Sequence, residues 1–203
     1  MAVDFATTSV STSVVTNTGQ TLAFTTVAAP GSILVVRAVG ATDAHTSIKF
    51  NGIDLTKIVG ASSGGRSEIW VLATPPVGTY NVVSVCPSQQ NGFIVSQLKG
   101  ARTYGNVQRA FVFNGNNTVT LTGVNPGDLS LDVFNTGITS DFTVGANQTK
   151  DFDQDGSSVR AHGSYQSTTD GVMSWTNTLG SDSSELAAAN FLALGALGMP
   201  TIF

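Results

Sequence analysis

The chain has 203 residues, of which 41% are hydrophobic and 11% are charged, and its net charge is −4. The hydrophobic fraction is enough for a folded core and excludes a disordered chain, while the acidic balance argues against a general nucleic-acid binder. The charged fraction is well below the roughly 25% of an ordinary soluble domain. We therefore expect a surface of Ser, Thr, Asn and Gly that meets neighbouring molecules in an assembly.

Neither end of the chain has a targeting or membrane-spanning pattern. Residues 1–10 lack the basic and apolar regions of a secretory signal, and the apolar run 186–197 is too short to cross a bilayer. Cys86 is the single cysteine, which excludes an internal disulfide, and we expect it to be buried at the end of a strand. These features predict a protein made in the cytoplasm, with neither membrane nor nucleic acid as a partner.

The first half of the chain predicts short strands after an arm. Residues 1–8 form that arm, which is expected to be frayed or docked on a neighbour. The apolar run 33–39 predicts a buried strand, and Asn51-Gly52 predicts a type I′ turn between two short strands. Residues 64–85 contain a strand, a Pro-Pro-Val-Gly turn and a second strand, which predict the central hairpin of the fold.

The second half continues the β pattern up to one ambiguous segment. Asp182–Glu185 reads either as the capping box of a helix or as the entry to a buried strand over residues 186–194. No repeat of fixed period and no linker divides the chain. We therefore predict one all-β domain over residues 9–197, a two-sheet antiparallel β-sandwich, followed by a C-terminal tail over residues 198–203.

One acidic stretch has the pattern of a metal site. Asp151, Asp153, Asp155 and Gly156 match the opening of a calcium-binding loop, in which alternate carboxylates point inward and a glycine makes the turn. The twelfth position of such a loop is His162 instead of a bidentate glutamate. Two interpretations stay open, namely a calcium ion that staples a loop and a solvated acidic turn between strands.

Catalytic patterns are weak. His45 and His162 lie in polar stretches where exposed side chains are expected, and no nucleophile elbow precedes a helix. Trp70 and Trp175 lie in alternating apolar runs and are expected in the core, whereas Tyr104 lies in a basic segment and is expected to be exposed. These residues predict a protein without enzymatic activity and without a cofactor other than the calcium ion considered above.

Five stretches together resemble a β-jelly-roll domain common in bacteriophage and bacterial surface proteins. They are Ile33–Val36, Ile48–Leu55, Glu68–Gly78, Gly127–Asp132 and Ser174–Thr176. The resemblance spans nearly all of residues 9–197 and rests on structural motifs. It implies a jelly roll whose last element, residues 186–194, is a strand. The family carries a Phe-Ser-Gly-Val/Ala-Asp run where this chain has Leu98–Arg102, so the basic segment 99–109, expected to be a loop, belongs to this chain alone.

The resemblance and the low charge imply a capsid decoration (cement) protein of a phage virion. Such a protein binds the major capsid protein on the capsid surface, and we expect a homotrimer. A carbohydrate-binding or host-adhesion module of a tail fibre or surface protein is the alternative. Partner contacts are expected in the arm, in the basic segment, which suits an acidic protein surface, and in the tail. The candidate residues are Val3, Phe5, Lys99, Arg102, Tyr104, Arg109, Ile202 and Phe203.

Overall fold

The computed structural model describes residues 1–60, 66–87, 90–113, 115–137, 141–157, 159–179 and 183–195. These residues form nineteen strands in four antiparallel sheets, and none of them is helical. None therefore forms a helix long and apolar enough to span a membrane. The predicted all-β, antiparallel class is confirmed. The predicted pair of sheets is wrong, because the described residues form four.

The first half, residues 1–100, forms two of the sheets. Inner sheet 1 has the order β1-β11-β5-β9-β8, with β2 and β3 also paired to β11, and outer sheet 1 has the order β4-β10-β6-β7. The strands are β1 (Asp4–Phe5), β2 (Val10–Ser11), β3 (Val15–Thr16), β4 (Gly19–Thr26), β5 (Ile33–Gly40), β6 (Ser47–Phe50), β7 (Ile53–Asp54), β8 (Thr56–Val59), β9 (Arg66–Ala73), β10 (Gly78–Val85) and β11 (Gln90–Lys99).

The second half, residues 101–195, forms the other two sheets. Inner sheet 2 has the order β12-β19-β14-β17-β16, and outer sheet 2 has the order β13-β18-β15. The strands are β12 (Ala101–Phe113), β13 (Asn117–Thr120), β14 (Leu129–Thr136), β15 (Asp141–Val144), β16 (Thr149–Asp155), β17 (Arg160–Gln166), β18 (Val172–Leu179) and β19 (Ser183–Ala193).

The two halves have the same topology. The strands are counted within each half, with β1 to β3 together as the first strand, β8 as the fifth and β7 left out. In this count each inner sheet has the strand order first–eighth–third–sixth–fifth. Each outer sheet runs second–seventh–fourth. The turn before the third strand is Pro30-Gly31 in one half and Pro126-Gly127 in the other, and both glycines have a positive φ, which a residue with a Cβ rarely adopts. The two halves therefore repeat one strand order.

The four sheets stack in the order outer 1, inner 1, inner 2, outer 2, with a hydrophobic core at each interface. The core of the first half joins Phe24 and Val82 of outer sheet 1 to inner sheet 1, and that of the second half joins Trp175 of outer sheet 2 to Phe134. A central core joins the inner sheets, and it includes Val35, Ile69, Ile94, Leu131, Ala187 and Phe191. Because both faces of each inner sheet are covered, β5 and β14 are buried along their whole length.

The two inner sheets pack face to face with their strand orders reversed, as in a two-fold arrangement. The β8 edge of inner sheet 1 packs near β12 of inner sheet 2. The β1 edge lies near β17, where the rings of Phe5 and Tyr165 meet edge to face at 5.1 Å. Each first strand thus lies near the far edge of the opposite half, which is the relation expected of two copies across an isologous interface.

Several local predictions are settled by these elements. The segment after Asp182 is strand β19, as the resemblance implied, and not a helix. Asn51-Gly52 makes the predicted turn between β6 and β7, with positive φ at both residues. The predicted central hairpin is wrong, because β9 lies in inner sheet 1 and β10 in outer sheet 1. The Pro-Pro-Val-Gly turn therefore carries the chain between layers.

Candidate partner-binding edge and surface groove

The basic segment 99–109 is mostly strand, not the loop expected. It forms the end of β11 and most of β12, which has 13 residues. In the described part of the chain β12 pairs with a strand on one side only, with β19, so it is an edge strand of inner sheet 2. A long edge strand offers unpaired N–H and C=O groups to another chain, and proteins usually shield such edges. The edge strand β12 is thus a candidate interface.

An aromatic pair stands on this edge beside an arginine. Arg109, Phe111 and Phe113 alternate along β12 and so share one face. Phe111 is 40% exposed and Phe113 is 73% exposed, and their rings meet edge to face at 4.9 Å. Arg109 is fixed by two contacts within the chain. Its Nη1 donates to the Gly60 carbonyl at 3.2 Å, and its Nε lies 3.6 Å from Glu185 Oε1. We call Arg109, Phe111 and Phe113 the edge patch.

Arg102 and Tyr104 extend this surface toward the start of β12. Both side chains are exposed, as predicted for Tyr104. Lys99 lies at the end of β11, where its Nζ is 3.6 Å from Asp4 Oδ2. The residues of β12 include two arginines and no acidic residue, so the charge of this strand favours an acidic partner.

The N-terminal arm docks on its own chain. The ammonium group of Met1 donates to the Leu194 carbonyl at 3.0 Å, and the Val3 N–H donates to the Gly127 carbonyl at 2.7 Å. Val3 is 5% exposed in the central core, so its proposed role as a surface contact does not fit this structure. Phe5 is half-buried against Tyr165. The predicted tail contacts Ile202 and Phe203 lie outside the described residues.

A surface groove opens where the arm crosses the second half. Its volume is about 590 Å³, and it is lined by Phe5, Ala6, Thr7, Thr8, Ser9, Asp151 and Tyr165. At its wall the carboxylate of Asp151 accepts hydrogen bonds from both terminal nitrogens of Arg37, at 2.9 Å from Nη1 and 2.5 Å from Nη2. We call this depression the arm groove.

Arg37 is a charged residue buried where the two halves meet. It lies on β5 and is fully buried, and its Nη1 also donates to the carbonyls of Asp132 and Ser164, at 3.1 and 3.2 Å. Gly163 makes room for it, because a Cβ there would lie 3.1 Å from Nη1 of Arg37. A buried guanidinium needs such partners for its charge, and here one half supplies the charge while the other supplies the partners.

The candidate calcium residues lie on a strand and not in a loop. Asp151, Asp153 and Asp155 alternate along β16, and each is paired with a different cation. Asp151 pairs with Arg37, Asp153 with Lys150, and Asp155 Oδ1 lies 3.3 Å from Arg160 Nε. Across the described ranges, no three Asp, Glu, His or Cys side chains converge as a group able to hold a metal ion. Calcium binding stays a prediction.

The two histidines are buried, which contradicts the exposure expected from their polar surroundings. His162 stacks near Phe134 and Trp175, and its Nδ1 lies 2.8 Å from Asp153 Oδ1. Burial lowers the pKa of His162 below its usual value, and the neighbouring Asp153 opposes that shift only in part. A neutral imidazole at neutral pH therefore donates from Nδ1 to the carboxylate of Asp153.

The first half encloses a charged cluster around Glu68, between inner and outer sheet 1. Glu68 Oε2 accepts from the His45 N–H and from Trp70 Nε1, both at 3.1 Å, and Oε1 accepts from Lys57 Nζ at 2.7 Å. Lys57 also lies 4.8 Å from the centre of the Trp70 ring. Burial opposes the charge on Glu68, but the hydrogen bonds and charges of His45 and Lys57 outweigh it and lower its pKa.

The second half encloses a different cluster around Asp132, between inner and outer sheet 2. Asp132 Oδ1 accepts from the Ser164 N–H at 2.7 Å, and Oδ2 accepts from Ser164 Oγ, Gln148 Nε2 and Trp175 Nε1 at 2.8, 3.1 and 3.1 Å. Burial raises the pKa of Asp132 to about 7, although these hydrogen bonds oppose the shift. Asp132 and Glu68 are fully buried, and Trp70 and Trp175 are in the core as predicted.

The sequence contained a signal for the edge patch that composition alone does not reveal. In Arg109-Ala110-Phe111-Val112-Phe113 the two aromatic residues lie two and four positions after the arginine. In a strand this spacing places all three side chains on one face. Whether that face is covered depends on the neighbouring strand in the sheet. Only the topology shows that β12 is an edge.

Comparisons with known proteins provide no template for these surfaces. No family model matches the chain, and it matches neither a curated protein nor a solved structure. The geometry of the edge strand and of the groove is therefore the basis for a functional assignment.

Proposed function

We propose that this chain is a non-enzymatic structural protein of a bacteriophage virion, a capsid decoration (cement) protein that binds the major capsid protein on the capsid exterior. The observation that supports the proposal best is the edge patch on the edge strand β12. Three of the contact residues predicted from the sequence, Arg102, Tyr104 and Arg109, lie on this strand.

The chemistry of β12 suits an extended segment of another protein. Backbone groups of an edge strand can add a strand from a partner, while alternate side chains give specificity. Exposed aromatic residues beside an arginine are typical of the few residues that dominate the affinity of protein interfaces. Because β12 has two arginines and no acidic residue, its partner is expected to be an acidic strand or loop of the capsid protein.

The rest of the molecule suits a cement role. Four layers joined by three cores make a rigid body that can bridge neighbouring capsid subunits. Each contact is small, but capsid symmetry repeats it and so multiplies its effect. We expect the protein to act as a homotrimer at the capsid surface.

We also infer that each half is a jelly roll. The order first–eighth–third–sixth in the inner sheet and second–seventh–fourth in the outer sheet, which both halves share, supports this assignment. Two of the motifs that carried the resemblance, Ile33–Val36 and Gly127–Asp132, fall at the start of the equivalent strands β5 and β14. On this proposal the chain is a tandem of two jelly rolls stacked through their inner sheets.

Co-sedimentation with capsids tests the proposed function. Capsids of the phage that encodes the chain, produced without this gene, are mixed with the purified protein and pelleted through a glycerol cushion. We expect saturable binding at a fixed ratio to the capsid protein, and a native mass three times that of the chain. The double variant Phe111→Ser/Phe113→Ser should lose most of this binding.

A matched double variant separates the edge patch from general loss of apolar surface. Val83 and Val85 are also exposed, at 39% and 46%, on β10 of outer sheet 1. Val83→Ser/Val85→Ser should therefore bind capsids like the unchanged protein. Absence of the protein from purified virions, or no binding to capsids at saturating concentration, would reject the decoration role. Equal binding by both double variants would reject the edge patch as the contact.

A further inference from the structure

We propose that the arm groove is a binding site for a neutral saccharide. This site lies apart from the edge patch, because β16 and β12 are opposite edges of inner sheet 2. The inference does not depend on the capsid role, and a capsid contact through β12 would leave the groove open. The ligand class follows from the size, the charge and the lining of the groove.

The size fits a short oligosaccharide. A volume of about 590 Å³ is within the range of roughly 300–1,000 Å³ that is usual for small-ligand sites. The groove is shallow enough to take part of a longer chain from the side, because one wall is the irregular segment Ala6–Ser9 between β1 and β2. That segment is fixed by the Ala6 N–H, which donates to the Gln97 carbonyl at 2.7 Å, and by a 2.7 Å hydrogen bond between Ser9 and Ser96.

The charge of the lining excludes strongly charged ligands. Asp151 is its one charged residue, and Arg37 already neutralises that carboxylate from the buried side. A cation therefore gains little, because the negative charge is already paired. An anion finds no accessible positive group, since Arg37 is fully buried. A neutral ligand that offers hydroxyl donors fits best, because a carboxylate oxygen can accept more than one hydrogen bond.

The lining also has the two kinds of surface that a sugar ring needs. Tyr165 and Phe5 present aromatic carbon that packs against the apolar C–H face of a ring. Asp151, Thr7, Thr8 and Ser9 provide acceptors and donors for its hydroxyl groups. The Asp151 side chain is 15% exposed and is held in one orientation by two hydrogen bonds. Such preorganisation reduces the entropic cost of binding.

Three other aromatic residues considered in the sequence are not part of this groove. Trp70 and Trp175 are buried, and Tyr104 lies on the far edge at β12. Tyr165 is a member of β17 and Phe5 of the arm, more than half the chain apart in sequence. Only the docking of the arm on the second half brings them together.

Saturation-transfer NMR with a panel of trisaccharides tests the inference. The neutral members are maltotriose, cellotriose, mannotriose and tri-N-acetylchitotriose, sialyllactose is the anionic comparison, and chitosan trimer is the cationic one. We expect at least one neutral member to bind and neither charged member to bind more tightly. The variants Tyr165→Leu and Thr8→Val should each weaken that binding, by about tenfold for Tyr165→Leu.

Tyr104→Leu is the matched control, because it removes an exposed tyrosine from the opposite edge, and it should leave saccharide binding unchanged. Melting temperatures verify that each variant is folded. If Tyr165→Leu does not fold, Thr8→Val still tests the groove, because Thr8 is exposed. Failure of every neutral saccharide at 10 mM ligand, or tighter binding of a charged one, would overturn the proposal. So would binding that neither groove variant weakens. Phe111→Ser/Phe113→Ser should keep saccharide binding, which separates this result from the capsid test.

Discussion

The two halves share one strand order but differ in chemistry at an equivalent pair of positions between their sheets. In the first half Val36 on β5 pairs with Trp70 on β9, and both pack in a hydrophobic core. In the second half the equivalent pair is Asp132 on β14 and Ser164 on β17. There a carboxylate, a hydroxyl and the Trp175 N–H form a hydrogen-bonded cluster. One backbone plan thus accepts either an apolar or a polar pair at these positions, provided that the buried polar groups find hydrogen-bond partners.

The halves also differ where they face each other, and there the differences are complementary. Arg37 pairs with Ile69 across β5 and β9, while the equivalent pair in the second half is Val133 and Gly163. A bulky residue in place of Gly163 would occupy the space of the Arg37 side chain. The larger side chain of one half therefore fills the space left by the smaller residue of the other, which makes the central interface specific to this pairing.

Of the changes considered, replacement of Arg37 should lower the free energy of unfolding most. Arg37→Met leaves Asp151 and two buried carbonyl groups without their donor, so we expect a loss of about 3–5 kcal/mol in the free energy of unfolding. Urea denaturation measures it. Lys49→Met is the control, because the pair of Lys49 with Asp54 is exposed and should contribute less than about 1 kcal/mol. Similar losses in the two variants would show that the buried pair does not hold the halves together.

The two acidic clusters should respond to pH with opposite sign. Because the pKa of Asp132 is raised from 3.8 to about 7, the folded state binds more protons than the unfolded state between these values. Stability from this group is therefore greatest at low pH and falls as pH rises from about 4 to 7. The pKa of Glu68 is lowered from 4.5, so its contribution is present above that value and is lost as pH falls below it.

Asp132→Asn and Glu68→Gln separate these effects. At pH 5, where Asp132 is mostly protonated, Asp132→Asn should cost roughly 1–3 kcal/mol, because the amide has two N–H donors in place of one O–H and so faces the Gln148 and Trp175 donors. Its stability should no longer fall between pH 4 and 7, whereas Glu68→Gln should keep that decline and lose the decline below pH 4.5. Denaturation at pH values from 3 to 8 measures both. Parallel pH profiles for the two variants would contradict the assignment.

Filling the space beneath Arg37 should have a smaller effect. In Gly163→Ala the new Cβ lies 3.1 Å from Arg37 Nη1, 3.1 Å from Phe152 Cβ and 3.2 Å from the Asp132 carbonyl oxygen. We expect a loss of about 1–2 kcal/mol, because the end of the Arg37 side chain can shift but the carbonyl cannot. The double variant Arg37→Met/Gly163→Ala should lose less than the sum of the single changes. Strict additivity would show that the two positions are not coupled.

The sequence was sufficient for the class of the fold and for many of its strands. Alternating apolar residues predicted the strands, and the paired φ values at Asn51 and Gly52 follow from residues that tolerate the left-handed region. The repeated strand order was hidden because the halves match in strand position but not in residue type, as Val36 and Asp132 illustrate. Strand-by-strand patterns also do not state which strands pair, so the sequence suggested a hairpin at residues 64–85 where the chain changes sheet.

The candidate sites were less predictable for a related reason. Tyr104 and the basic residues were identified by composition, but the exposed edge depends on the position of β12 in its sheet. Val3 was expected at the surface because it lies in an arm, yet the arm pairs with β11 and buries it. The polar residues around His162 suggested that its side chain is exposed, whereas it lies on β17 and is buried. Long-range pairing decided each outcome.

The smallest effect on stability is expected at the edges, where the halves differ once more. The first strand of the first half is broken into three strands of two residues each, whereas its equivalent β12 spans 13 residues and, after two register shifts, pairs without a break from Val107 to Phe113. Short strands protect an edge against further pairing, and a continuous one does not. Phe113→Ser should therefore change the free energy of unfolding by less than about 1 kcal/mol, because Phe113 is 73% exposed and loses mainly its edge-to-face contact with Phe111. A larger loss in urea denaturation would mean that this ring supports the fold and is not held ready for a partner.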